Sequence, residues 1–143
     1  MIFQSFHDKF PEIAEAETRV VLVFENNKFN LPPDDYIFVE MFCNDKKCDC
    51  RRVFFDVFSE KRKRLEAVIC WGWESRDFYK KWLGINDKEM ITELIGPALN
   101  VGSQQSELAP ALLRLLTESL LTDIEYCNRI KRHYQMFKKK TLF

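Results

Sequence analysis

The chain has 143 residues, 46% of them hydrophobic and 31% charged. That is the size of one domain, with enough apolar material for a core without disulfides and too much for a disordered chain. The formal net charge is zero, with a pI of about 6.7, whereas dedicated nucleic-acid domains are usually basic overall. Thirteen phenylalanines and three tryptophans need a core, a partner or a ligand to cover them.

The opening residues MIFQSFHDKF lack a basic stretch followed by an apolar run. No export signal is therefore expected, and the expected compartment is the reducing cytoplasm. No run approaches the ~18 apolar residues of a membrane span. Phe10–Thr18 is rich in Ala and Glu, with Pro11 in its first turn, and predicts a helix. Arg19–Glu25 is β-branched and predicts a strand. Asn26-Asn27 and Pro32–Asp35 are turn signals.

Three strands follow: Tyr36–Cys43, Arg52–Ser59 and Leu65–Trp71. Their connections, NDKKCDCR and EKRKR, are too short for a helical crossover, so neighbours should be antiparallel. The remainder reads as helical. Ser75–Leu83 is amphipathic. A second helix begins at Asn86, with Glu89 placed for a capping box, and ends at Gly96-Pro97. Ser106 suits the cap of a third, and a fourth spans Asp123 to Lys139. The expected class is α+β: a small antiparallel β-meander of about three or four strands, with helices at the N-terminus and a helical C-terminal half. With no repeat and no Gly/Ser-rich linker, residues 1–143 read as a single domain with a cysteine knuckle at 43–50.

Chemistry concentrates at that knuckle, Cys43-Asn-Asp-Lys-Lys-Cys48-Asp-Cys50. Three thiols within eight residues at a hairpin tip can aim their sulfurs at one point. Soft thiolate ligands favour Zn²⁺ at about 2.3 Å, and a structural site normally has four protein ligands. His133 is the favoured fourth, with His7, Cys127, Cys70 and water as alternatives. On the last helix Cys127, Ile130, Tyr134 and Phe137 share one face, and His133 lies at the edge of that stripe.

Charge is distributed in blocks. Residues 46–64 hold eight bases against three acids, and residues 127–143 hold six bases and no acid. Arg51 and Arg52 follow the last knuckle thiol, and Lys131 and Arg132 precede His133. These four would form a basic pole able to contact nucleic acid or an acidic protein surface. Asp123 falls on the apolar face of the last helix, where a carboxylate needs a partner such as Arg76 or Arg52. Trp71 and Trp73 read as a packed core edge rather than a ligand wall.

The unit strand–CNDKKCDCRR–strand, with ICWGWES and the terminal NRIKRHYQMFK, resembles a group of uncharacterised prokaryotic proteins. Those proteins pair a cysteine knuckle with a late R-x-x-R-H-Y helix. The matching positions are Cys43, Cys48, Cys50, Arg129, Arg132, His133 and Tyr134. The Cys48-x-Cys50 pair is loosely similar to the SEC-C metal-binding motif, without the C-C or C-H pair that follows there. The resemblance implies zinc and no activity. No dinucleotide fingerprint, Walker loop, HExxH or nucleophile elbow is present. The expected function is a zinc-stabilised interaction module. The alternatives are a zinc-dependent enzyme with an open coordination position and Asp45 or Asp49 as base, or a redox-sensing thiol protein.

Overall fold

Alternating side chains and short polar turns draw the strand-forming segments into one sheet. The computed structural model describes residues 2–141. Among them lie six α-helices and a six-stranded antiparallel sheet, an α+β arrangement. In chain order the elements are β1 (Phe3–Ser5), α1 (Phe6–Lys9), α2 (Pro11–Glu17), β2 (Arg19–Val23), β3 (Asp34–Cys43), β4 (Arg52–Ser59) and β5 (Arg64–Gly72). Then come α3 (Arg76–Leu83), α4 (Lys88–Ile95), β6 (Ala98–Leu99), α5 (Ala109–Glu118), a 3-10 turn at Leu120–Thr122, and α6 (Ile124–Thr141).

The strand order is β1-β3-β4-β5-β6, and β2 also pairs with β3. Thus β1 covers the Cys43 end of that edge and β2 the Asp34 end. The expected count of three or four strands matches β2 to β5. The extra strands, β1 and β6, span three and two residues, too short to show a period.

Alternation sorts the sheet into two faces. Tyr36, Phe38 and Phe42 of β3 and Val53, Phe55 and Val57 of β4 are fully buried. They share one apolar core with Leu112 and Leu116 of α5 and with Tyr126, Ile130, Tyr134 and Phe137 of α6. Each large side chain buried this way contributes ~1.5–3 kcal/mol. The opposite face is half-buried: Ile37, Val39 and Met41 on β3, Phe54, Asp56 and Phe58 on β4.

Local chemistry ends the elements. Asp34 accepts from the Lys61 N–H at 3.0 Å and from the Ser59 hydroxyl, which fastens the EKRKR turn. Ser75 caps α3 by accepting from Phe78 N, and Gly84 closes it in the left-handed region at φ 78. Asp87, rather than Asn86, caps α4 through Met90 N. Ser106 accepts from Leu108 N just ahead of α5, which starts at Ala109. Asp123 is not on a buried stripe. It precedes α6, accepts from the Glu125 N–H at 3.0 Å and lies 3.8 Å from Arg19. Its partner is thus Arg19, because the helix begins one residue later than its acidic start suggested.

Candidate metal centre

The β3–β4 connection builds the site from its backbone outward. Cys48 N donates to Asp45 O at 3.0 Å, and Lys47 N donates to Asp45 Oδ1 at 2.9 Å. This local turn folds the tip back on itself. Arg51, at φ 50, then reverses the chain into β4. The result brings Cys43, Cys48 and Cys50 together with their sulfurs within 4.8 Å of one another. Ligands around a tetrahedral ion at about 2.3 Å stand ~3.8 Å apart, so a small inward movement accommodates Zn²⁺. Asp45 N donates to Cys43 Sγ at 3.4 Å, the kind of backbone donor that stabilises a thiolate. Cys43 and Cys50 are 0% and 1% exposed, and Cys48 is half-buried. All five cysteines are free.

Burial pushes the Cys50 thiol up to about 12, helped by the neighbouring Cys48 and Cys43. Burial also raises Cys48, with Cys43 adding to it. These directions are opposite to those of a reactive redox thiol.

The tip is clamped to distant elements. Lys138 Nζ of α6 donates to Cys43 O at 2.9 Å and to Asp45 O at 2.8 Å. The Tyr134 hydroxyl accepts from Arg51 N at 3.1 Å and donates to Asp49 Oδ1 at 2.7 Å. The Tyr79 hydroxyl of α3 donates to Arg51 O at 2.9 Å. Trp73 rests edge-on against Tyr134, with ring centroids 5.1 Å apart, as a core-edge residue should. Gly72 leaves room for the Tyr79 hydroxyl, because a Cβ there would collide with it and approach Leu94 O to 2.7 Å.

His133 stands elsewhere. Its Nδ1 lies 2.7 Å from Glu40 Oε1 and its Nε2 2.6 Å from Glu17 Oε1, and its ring stacks on Phe6 at 4.2 Å. Both ring nitrogens are taken up by these carboxylates, and His133 is not among the residues whose ligand atoms converge at the hairpin tip. The structure thus sets His133, the expected fourth zinc ligand, against Glu40 and Glu17 and not with the three sulfurs, and the physical reason is Glu40. This carboxylate is 4% exposed on the inward face of β3 and needs a partner. Glu17 is held below the usual carboxylate range, chiefly by the His133 hydrogen bond and further by Arg132.

The other expected ligands are also placed apart. His7 is exposed on α1. The Cys70 thiol faces Ala98 O at 3.4 Å, and the Cys127 thiol donates to Leu121 O at 3.3 Å. Among the described residues no fourth histidine, cysteine or carboxylate joins the three sulfurs.

The basic pole is largely consumed internally. Arg51 pairs with Asp49 at 3.0 Å and Glu74 at 3.3 Å. Arg52 is 8% exposed and donates to Leu94 O. Arg132 pairs with Glu17 at 2.8 Å. Lys131 is half-buried, and Lys46 and Lys47 are exposed at the tip. Sequence reasoning missed Lys138 and Tyr79 as clamps. Tyr134 carried a signal, since it falls on the apolar stripe of α6 and its hydroxyl needs a partner there. No helix among the described residues is long and apolar enough to cross a membrane. No family model, curated protein or solved structure matches the chain.

Proposed function

We propose that this chain binds one Zn²⁺ through Cys43, Cys48 and Cys50, and that the ion is structural. The observation that carries the reading is the convergence of three free sulfurs, two of them fully buried, at one hairpin tip. Three soft donors in this arrangement select zinc over harder divalent ions. The fourth ligand comes from outside the trio. A bound ion would cross-link a turn that has little apolar material of its own, and the clamps from Lys138, Tyr134 and Tyr79 would pass that order to α6 and α3.

A structural role is favoured over a catalytic one by access. Cys43 and Cys50 offer no exposed surface, and three thiolates make an electron-rich, weak Lewis acid. A redox-sensing role is disfavoured by the burial of Cys43 and Cys50, which gives an oxidant little access to them. Contact with nucleic acid or an acidic protein would fall to Lys46 and Lys47, since Arg51, Arg52 and Arg132 are engaged within the fold.

Elemental analysis of protein purified without chelator tests this. The expected result is about one zinc per chain, lost in Cys48→Ser together with thermal stability. Metal-free protein with reduced thiols, whose melting temperature is indifferent to added zinc and to chelator, would overturn the reading.

A further inference from the structure

Where α4 turns into β6 the molecule holds a cavity of about 200 Å³. Arg52 enters it from β4, Met90 and Leu94 from α4, and Leu99 and Val101 from β6 and the turn that follows. Glu93 also lines it and is exposed. Backbone bonds fix these walls. Strand β6 pairs with β5 through Ile69↔Leu99 and Cys70↔Ala98, and Asn100 N donates to Val68 O at 2.9 Å.

The Arg52 guanidinium is the group that the fold leaves incomplete. It is 8% exposed, and a guanidinium carries a fork of N–H donors. Its Nε donates to Leu94 O at 3.0 Å, which ties the end of α4 to β4, and the cation lies 5.3 Å from the centroid of the Phe54 ring. Among the described residues no carboxylate pairs with Arg52, and Nη1 and Nη2 donate to no oxygen. A cation withdrawn from water without a counter-charge is costly, so this one calls for an anion.

The surroundings select the anion. At ~30 Å³ for each water-sized group, the cavity admits about six non-hydrogen atoms. The guanidinium fork matches a planar carboxylate, which accepts from both of its prongs. Met90, Leu94, Leu99 and Val101 offer apolar cover to the rest of such a molecule. The Glu93 carboxylate repels a second negative charge, which favours a monoanion over phosphate.

We propose that this cavity binds a small aliphatic monocarboxylate, its carboxylate held by Arg52 and its alkyl chain by Met90, Leu94, Leu99 and Val101. The site uses none of the three knuckle sulfurs.

Nitrogen-15 NMR of the whole chain as purified, titrated with sodium butyrate at constant ionic strength, reads the binding. The expected result is saturable shifts at the Arg52 Nε–H and the amides of 99–101, with a dissociation constant of about 1 mM. Acetate, two methylenes shorter, binds about tenfold more weakly, and inorganic phosphate is also weaker than butyrate. Glu93→Gln, at an exposed position, tightens butyrate about threefold. Val101→Glu, at a position 85% exposed, weakens it by a similar factor. Arg52→Lys keeps the charge but loses the fork, and weakens butyrate at least about tenfold. The two exposed variants decide the matter if Arg52→Lys does not fold. Butyrate that gives no saturable shift at the pocket up to about 50 mM overturns the proposal. So do equal affinities for acetate, butyrate and phosphate, or a butyrate affinity indifferent to both exposed variants or to a folded Arg52→Lys.

Discussion

Both polar residues of the Glu40–His133 pair sit on faces that carry mostly apolar side chains, and each accounts for the burial of the other. Glu40 has the inward parity of Tyr36, Phe38 and Phe42, and His133 is 1% exposed beneath it. Removing one member of such a pair costs about 3–5 kcal/mol, because the other is left buried and unpaired. His133→Ala is therefore expected to lower the melting temperature sharply while leaving the zinc content unchanged. Metal analysis beside a thermal melt separates the two effects, and loss of zinc in the folded variant would return His133 to the metal site. The pairing was legible in part. The periodicity of α6 placed His133 at the edge of the buried stripe, whereas the alternation of YIFVEMFC, whose wholly apolar parity is Ile37, Val39, Met41 and Cys43, gave no sign that Glu40 faces inward. Missing from the sequence was the lateral offset between β3 and α6, which decides whether that ring meets Glu40 or the sulfurs.

Strand β4 carries the opposite case. Asp56 sits in the half-buried face among Val39, Phe54 and Phe58 with no hydrogen bond from any described residue, and burial alone pushes its carboxyl up. An acid whose pKa is higher in the folded state costs stability as pH rises, because the unfolded chain ionises first. Asp56→Val is accordingly expected to melt higher at neutral pH. The gain should shrink as pH falls through the ordinary carboxylate range, and thermal melts at several pH values read it. A constant gain would place the effect in β-propensity and packing alone. At this scale the sequence was most informative where elements are long. Strands β3, β4 and β5 and helix α6 follow from period and turn chemistry. The three-residue β1 and two-residue β6 do not, since they form only where β3 and β5 offer them a ladder, and the four-residue α1 is a single capped turn too short to show a period.

Acid acts on the whole molecule through the carboxylates that hold its parts together. Glu17 is lowered chiefly by His133, joining α2 to α6. Burial would raise Asp34, yet the Ser59 hydroxyl and the Lys61 and Asp35 N–H groups outweigh it and hold it low. Each contributes stability that is complete above the ordinary carboxylate pKa, about 4, and is lost as pH falls through its lowered value. Stability should therefore decline in acid, and Glu17→Gln should show a smaller decline from a lower neutral starting point. A pH series of melts reads both slopes, and parallel curves would mean that Glu17 does not contribute in this way.

One further consequence lies in the order of synthesis. Glu40 waits 93 residues for His133, Cys43 waits 95 for Lys138, and Lys9 waits 132 for Thr141. Until the eighteen residues of α6 have left the ribosome, Phe42 and Phe55 of the sheet lack the Tyr134, Phe137 and Tyr126 rings that pack on them. The nascent protein is then a target for chaperones and a risk for aggregation, until α6 docks on the sheet.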